Sequence, residues 1–167
     1  ENTFWIQNPD GSLTRLLDDF FQDPYEVTFR VIVDLDQGIS VTYINNTDCG
    51  TYPLTGDSVR YLAFETLDET LNETQVVGVY VEANYEVYES FDNPVSQVSV
   101  MLDNAEKLSV KDQHLVIPGG VSTGRSFAAL GDKVNFSFYS YLPEESSGRY
   151  TLFAGDKPVV QITASDG

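Results

Sequence analysis

Apolar residues recur at every second position in this chain, run after run, and that period limits what it can fold into. Successive side chains of a strand point to opposite faces, so a period of two describes a strand with one buried face. The longest instance is Val77-x-Val79-x-Val81-x-Ala83-x-Tyr85-x-Val87. A second is Val27, Phe29, Val31, Val33 and Leu35, with Glu26, Thr28, Arg30 and Asp34 on the opposite side and Ile32 breaking that polar side. A third is Val134, Phe136 and Phe138, alternating with Asn135, Ser137, Tyr139 and Tyr141. No segment of ten or more residues carries a helical period. The expected fold is all-β: a single antiparallel β-sandwich domain over residues 1–167, of immunoglobulin-like or jelly-roll topology. Val27, Phe29, Val31, Val33, Val79, Val81, Phe136 and Phe138 are its expected core.

Turn residues punctuate these runs. Asn8-Pro9-Asp10-Gly11 separates strands expected over 3–7 and 12–17, and Asp36-Gln37-Gly38 leads into another over 39–44. Residues 45–57, with Gly50, Pro53 and Gly56, read as a loop. Strands are expected over 58–67, 95–102, 107–110 and 114–117, and one helical turn over 68–73. Residues 74–91 suit one bent strand or a hairpin turning near Ala83-Asn84. Gly119-Gly120-Val121-Ser122-Thr123-Gly124 reads as a loop, since it lacks the Lys of a phosphate loop and the spacing of a nucleophile elbow. The final quarter reads as a three-strand meander. Within it, Ser146-Ser147-Gly148-Arg149-Tyr150 resembles the corner before a late strand of immunoglobulin-like sandwiches. The resemblance covers about 35 residues and lacks the Cys-Trp-Cys set. It implies that Tyr150 hydrogen-bonds back across the preceding connection.

Charge narrows the partners. With 26 acids against nine bases the net charge is −17, and no Lys or Arg lies between Arg60 and Lys107, where ten carboxylates fall. Phosphate binding relies on clustered Lys and Arg, so nucleic acid is excluded as an expected partner, and anionic membranes are repelled. No apolar run approaches the roughly 20 residues of a membrane helix, so membrane insertion is not expected. The acids alternate with apolar positions, which describes a folded acidic surface and not a disordered tail.

Few residues carry the chemistry of a reaction. His114 is the only histidine, which excludes a triad or multi-His metal site within one chain. Cys49 is the only cysteine, so no internal disulfide exists; it is expected in a loop, buried and inert. The acidic pairs Asp18-Asp19, Asp34-x-Asp36, Asp68-Glu69 and Glu144-Glu145 are what 26 acids produce by chance. No organic cofactor is expected. Calcium is the one candidate ion, because Asp34-Leu35-Asp36-Gln37-Gly38 offers oxygen ligands in a loop, with Asp34 and Asp36 as metal ligands. Asp92-Asn93 has similar chemistry. Three N-glycosylation sequons start at Asn45, Asn72 and Asn135.

The leading expectation is a non-catalytic extracellular or cell-surface protein. Its first form is a structural subunit of a pilus, fibre or surface layer, self-associating or binding other surface proteins. In that form residues 3–7 add a strand to a neighbour, with Phe4, Trp5 and Ile6 as exchange residues. The alternative is a carbohydrate-binding or adhesion module. Tyr80, Tyr88, Tyr139 and Tyr141 fall opposite the apolar stripes, and such rings can stack on sugars, with Tyr139 and Tyr141 the chosen pair. An enzyme ranks third.

Overall fold

A computed structural model of the chain describes residues 2–17, 26–54, 56–67, 73–91, 102–141 and 147–166. Fourteen strands form among them, together with one short 3₁₀ turn at Ala105–Lys107. The strands are β1 (Asn2–Gln7), β2 (Leu13–Leu17), β3 (Glu26–Asp34), β4 (Ile39–Ile44), β5 (Thr47–Pro53), β6 (Tyr61–Thr66), β7 (Glu73–Glu82) and β8 (Glu86–Ser90). They continue as β9 (Ser109–Lys111), β10 (His114–Pro118), β11 (Ser122–Ser126), β12 (Lys133–Tyr141), β13 (Gly148–Ala154) and β14 (Lys157–Asp166).

They make two antiparallel sheets. One runs β11-β6-β13-β14-β1-β2, the other β5-β4-β3-β12-β7-β10-β9, with β8 also paired to β7. Strand β7 gives one edge to β12 along most of its length. Its other edge is divided: residues 73–76 pair with β10 and residues 78–82 with β8.

Alternation built the core as the sequence implies. All eight expected core residues are buried. At the centre Phe29 and Phe138 stack at 4.9 Å, and Tyr150 from the other sheet lies 4.8 and 5.0 Å from them. Phe64 meets Phe138 edge-on at 5.5 Å, the geometry that aromatic quadrupoles favour. Three buried hydrogen bonds join the sheets among the described residues. The Tyr150 hydroxyl bonds Ser140 Oγ at 2.7 Å, and Thr66 Oγ1 bonds Thr74 Oγ1 at 2.7 Å. Thr66 donates its own proton to the Ile117 carbonyl at 2.8 Å, so Thr74 is the donor between the threonines.

Several expected boundaries change. Residues 47–53 are strand β5 and not loop, because Asn45 and Asn46 take φ of 47° and 64°. That is the geometry of a two-residue I′ hairpin, which Asn tolerates. The long alternating run is a hairpin, turning through residues 83–85, and Val77 leaves the buried register. The pairing to β12 shifts between Tyr139 and Ser140, leaving Val77 as the extra residue. The Gly- and Ser-rich run ends in edge strand β11. Gly124 is needed there because a Cβ would lie 2.5 Å from the Tyr61 ring. The meander is divided between the sheets: β13 and β14 pair, whereas β12 lies in the other sheet. The expected strand over 95–102 lies outside the described residues except for its last position, as does the expected helical turn except for Glu73.

The four strands that end the two sheet orders are guarded, while β8, which pairs only β7 among the described residues, is a fifth edge. Arg15 sits in β2, Lys111 in β9 and Arg125 in β11. Strand β5 instead carries Gly50 at φ 108°, a register shift against β4 and a terminal Pro53. Charge, bulge and proline are the features that discourage edge-to-edge pairing.

Candidate ligand-binding face

The outer face of the eight-stranded sheet collects most of the residues that the core rejects. The antiparallel register arranges them in rows across the strands, with directly opposed side chains roughly 5 Å apart at Cβ. One row runs Tyr43, Arg30, Ser137, Tyr80 and Tyr88. The next, one step along β12, runs Thr28, Tyr139, Gly78 and Ser90. Beyond it lie Glu26, Tyr141 and Gln75. On the other side lie Ile32, Asn135, Glu82 and Glu86.

Two rings stand out of this surface. Tyr88 is 72% exposed and Tyr139 43%, and they are the exposed aromatic residues among those described. Tyr139 has Thr28 on one side and Gly78 on the other, so no side chain fills the step between Tyr139 and Ser90. Gly78 has no positive φ, and a Cβ there would meet nothing closer than the Glu89 carbonyl at 3.4 Å. Gly78 is itself buried, so its neighbours cover this step and it is not an opening in the surface; it reflects an absent side chain and no backbone constraint.

The remaining groups are fixed. The Arg30 guanidinium lies 5.5 Å from the Tyr43 ring and donates from Nε to Asn135 Oδ1 at 3.3 Å. Tyr141 is half-buried, with the His114 ring 6.4 Å away, and His114 Nδ1 shares a 2.8 Å hydrogen bond with Gln75 Oε1. Of the expected sugar-stacking pair, Tyr139 is thus free to meet a ligand and Tyr141 is more confined. Tyr80 donates to Glu82 at 3.3 Å. Loss of solvation first, then the carboxylates of Glu86 and Glu82, hold its hydroxyl above the ordinary phenol range.

The other expected sites are placed apart from this face or serve local structure. Asp34 caps the β3–β4 turn, accepting from the Gln37 amide at 3.1 Å and from Gln37 Nε2 at 2.8 Å. Lys133 Nζ lies 4.0 Å from it, while Asp36 is exposed. Among the described residues no three His, Cys, Asp or Glu gather as a metal site. Phe4 and Ile6 are buried in this chain's own core, and β1 is paired on both edges, to β14 and to β2. Trp5 is half-buried, with the Arg15 guanidinium 5.8 Å over its ring. Asn45 is exposed in its hairpin turn and accepts the Thr28 amide through Oδ1 at 2.8 Å, leaving Nδ2 as the atom a glycan would use. Asn135 lies in the middle of β12. Asn72 and Asp92-Asn93 fall outside the described residues, as do Asp18-Asp19, Asp68-Glu69 and Glu144-Glu145. Cys49 is half-buried in β5 instead of a loop, and burial raises its thiol pKa, so it has little thiolate character.

Between the sheets at one side, Arg125 and Glu89 form an ion pair, with the guanidinium 5.3 Å from the Phe127 ring. The apolar cavity beside it holds about 20 Å³, room for about one water. Ligand pockets are an order of magnitude larger, so this pair closes the side of the molecule. Sequence patterning did not single out Arg125, Glu89 or Gly78; their roles come from pairings between strands far apart in the chain. No protein-family model matches the chain, and no curated protein matches its sequence. Among the described residues no helix is long and apolar enough to cross a membrane.

Proposed function

We propose that this protein is a non-catalytic binding module of the cell surface or extracellular space, which holds a saccharide on the outer face of its eight-stranded sheet. One observation carries this reading: the two exposed aromatic rings among the described residues, Tyr88 and Tyr139, stand on that one face in adjacent rows. A planar, partly polar ring suits a sugar, whose apolar face stacks while its hydroxyls meet Ser90, Ser137 and Thr28. The fold belongs to the same proposal. We take it as a single β-sandwich of immunoglobulin-like or jelly-roll topology; the Tyr150 hydroxyl bonds a side chain of the opposite sheet and not the backbone of the preceding connection, so it favours neither.

Subunit assembly by strand addition has less support. Residues 3–7 would have to abandon two ladders and withdraw Phe4 and Ile6 from a formed core. Four of the five edge strands are guarded and offer a neighbour little template. The acids serve solubility in this reading, without a catalytic pair.

Binding to a glycan array, followed by titration of the strongest ligand, tests the proposal. Tyr139→Ala should weaken binding by about 1–2 kcal/mol, roughly 5- to 30-fold. A folded wild-type protein that binds no glycan, or binds one unaffected by Tyr139→Ala, would refute it.

A further inference from the structure

We infer that the tyrosine face selects saccharides bearing an ammonium group, with Glu82 and Glu86 as the residues that read the charge. The inference rests on the saccharide reading above and deepens it.

Glu82 and Glu86 are directly opposed across the β7–β8 pair, at the end nearest the hairpin turn. Like charges in that position repel and destabilise the pair. All nine Lys and Arg lie within the described residues, yet none forms an ion pair with either glutamate. Some carboxylates elsewhere are matched, since Glu65 takes two bonds from Arg149, at 2.6 and 2.9 Å, and Glu89 takes Arg125, while exposed ones such as Asp36 and Glu106 have no ion pair among the described residues either. The next row toward Tyr139 places Tyr80 and Tyr88 opposite one another. A cation set there would meet two carboxylates and two electron-rich rings, and both attractions favour ammonium. The Tyr80 hydroxyl already points into this cluster, donating to Glu82.

The charged pair and the strand position beside Tyr139 are in line. Gly78 and Glu82 are four residues apart on one strand, roughly 13 Å at about 3.3 Å per residue. A short oligosaccharide can stack one ring on Tyr139 and extend an amine over Tyr80 and Tyr88. The net charge of −17 works in the same direction, since it repels sulfated, phosphorylated and uronic sugars. The class of ligand is therefore an amino sugar with an unacylated nitrogen.

Titration calorimetry at low salt and mildly acidic pH tests this with three probes: a glucosamine hexamer, its fully N-acetylated neutral counterpart, and a trilysine peptide. The wild-type protein should bind the glucosamine hexamer at least tenfold more tightly than the neutral hexamer. The double variant Glu82→Gln/Glu86→Gln should reduce that preference to about twofold or less while leaving the neutral affinity in place. A control removing the same charge elsewhere, Glu106→Gln/Asp112→Asn, should keep the preference. Equal binding of the two hexamers by the wild type overturns this inference and leaves the saccharide reading standing. So does a preference that survives Glu82→Gln/Glu86→Gln, or one lost equally in the control. Binding of trilysine with neither hexamer makes the occupant a basic protein segment and overturns both readings. Binding of none of the three overturns both as well. Melting curves of both double variants show that each is folded.

Discussion

Strand β12 presents two surfaces that each carry two aromatic rings, and they behave as opposites. Inward it places Val134, Phe136, Phe138 and Ser140, all buried. Outward it places Asn135, Ser137, Tyr139 and Tyr141, and Tyr139 is left 43% exposed. The inner rings are locked by partners on every side: Phe138 meets Phe29, Phe64 and Tyr150 within 5.5 Å. The outer Tyr139 has a glycine for one neighbour. An aromatic residue is thus structural or available depending on what the next strand places beside it.

Four measurements test that contrast, in order of expected size. Phe138→Ala should remove about 3–5 kcal/mol of stability, read from the denaturant midpoint; a loss below 1 kcal/mol would mean that the inner cluster is not tightly packed. Alkali should come next. Burial raises the Tyr150 hydroxyl pKa well above its ordinary value of 10, opposed only by its Ser140 bond. Both states hold the proton below pH 10, so this contribution is complete there. Above it the unfolded chain ionises first, and stability should fall by up to about 1.4 kcal/mol per pH unit. The slope should flatten in Tyr150→Phe. At neutral pH that variant should lose about 0.5–1.5 kcal/mol, because Ser140 Oγ keeps the Gln75 carbonyl at 3.1 Å as an acceptor. Smallest of all, Tyr139→Ala should shift stability by no more than about 0.5 kcal/mol while impairing binding. A large loss of stability there would erase the distinction between the two faces.

The strands themselves were legible because period two is a local signal. Each residue of the expected core is inward in the structure, and the β1–β2 hairpin was announced by Asn8-Pro9-Asp10-Gly11. Errors arose where neither period nor turn residues spoke locally. Strand β5 is hidden by Asp48, Gly50 and Pro53, residues that disfavour strands, and only the Asn45-Asn46 pair signalled its hairpin. The division of the final meander between two sheets cannot be seen from spacing, since a strand reads the same in either sheet. The outward tyrosines were visible as the counter-phase of the apolar stripes. That Gly78 opposes Tyr139, and that Glu82 opposes Glu86, depends on pairing register, which a one-residue bulge at Val77 resets.

The position of Asn135 has a practical consequence for anyone producing this protein. Its sequon spans the middle of a strand paired on both edges, and Phe136 at its centre is fully buried. An oligosaccharide could be attached there only to a chain that has not yet folded. Once attached it would stand in the row beside Tyr80 and shade the binding surface. Material from a host that glycosylates nascent chains and material from one that does not would then be two different reagents. Mass measurement of the Asn135 peptide should precede any comparison of their binding.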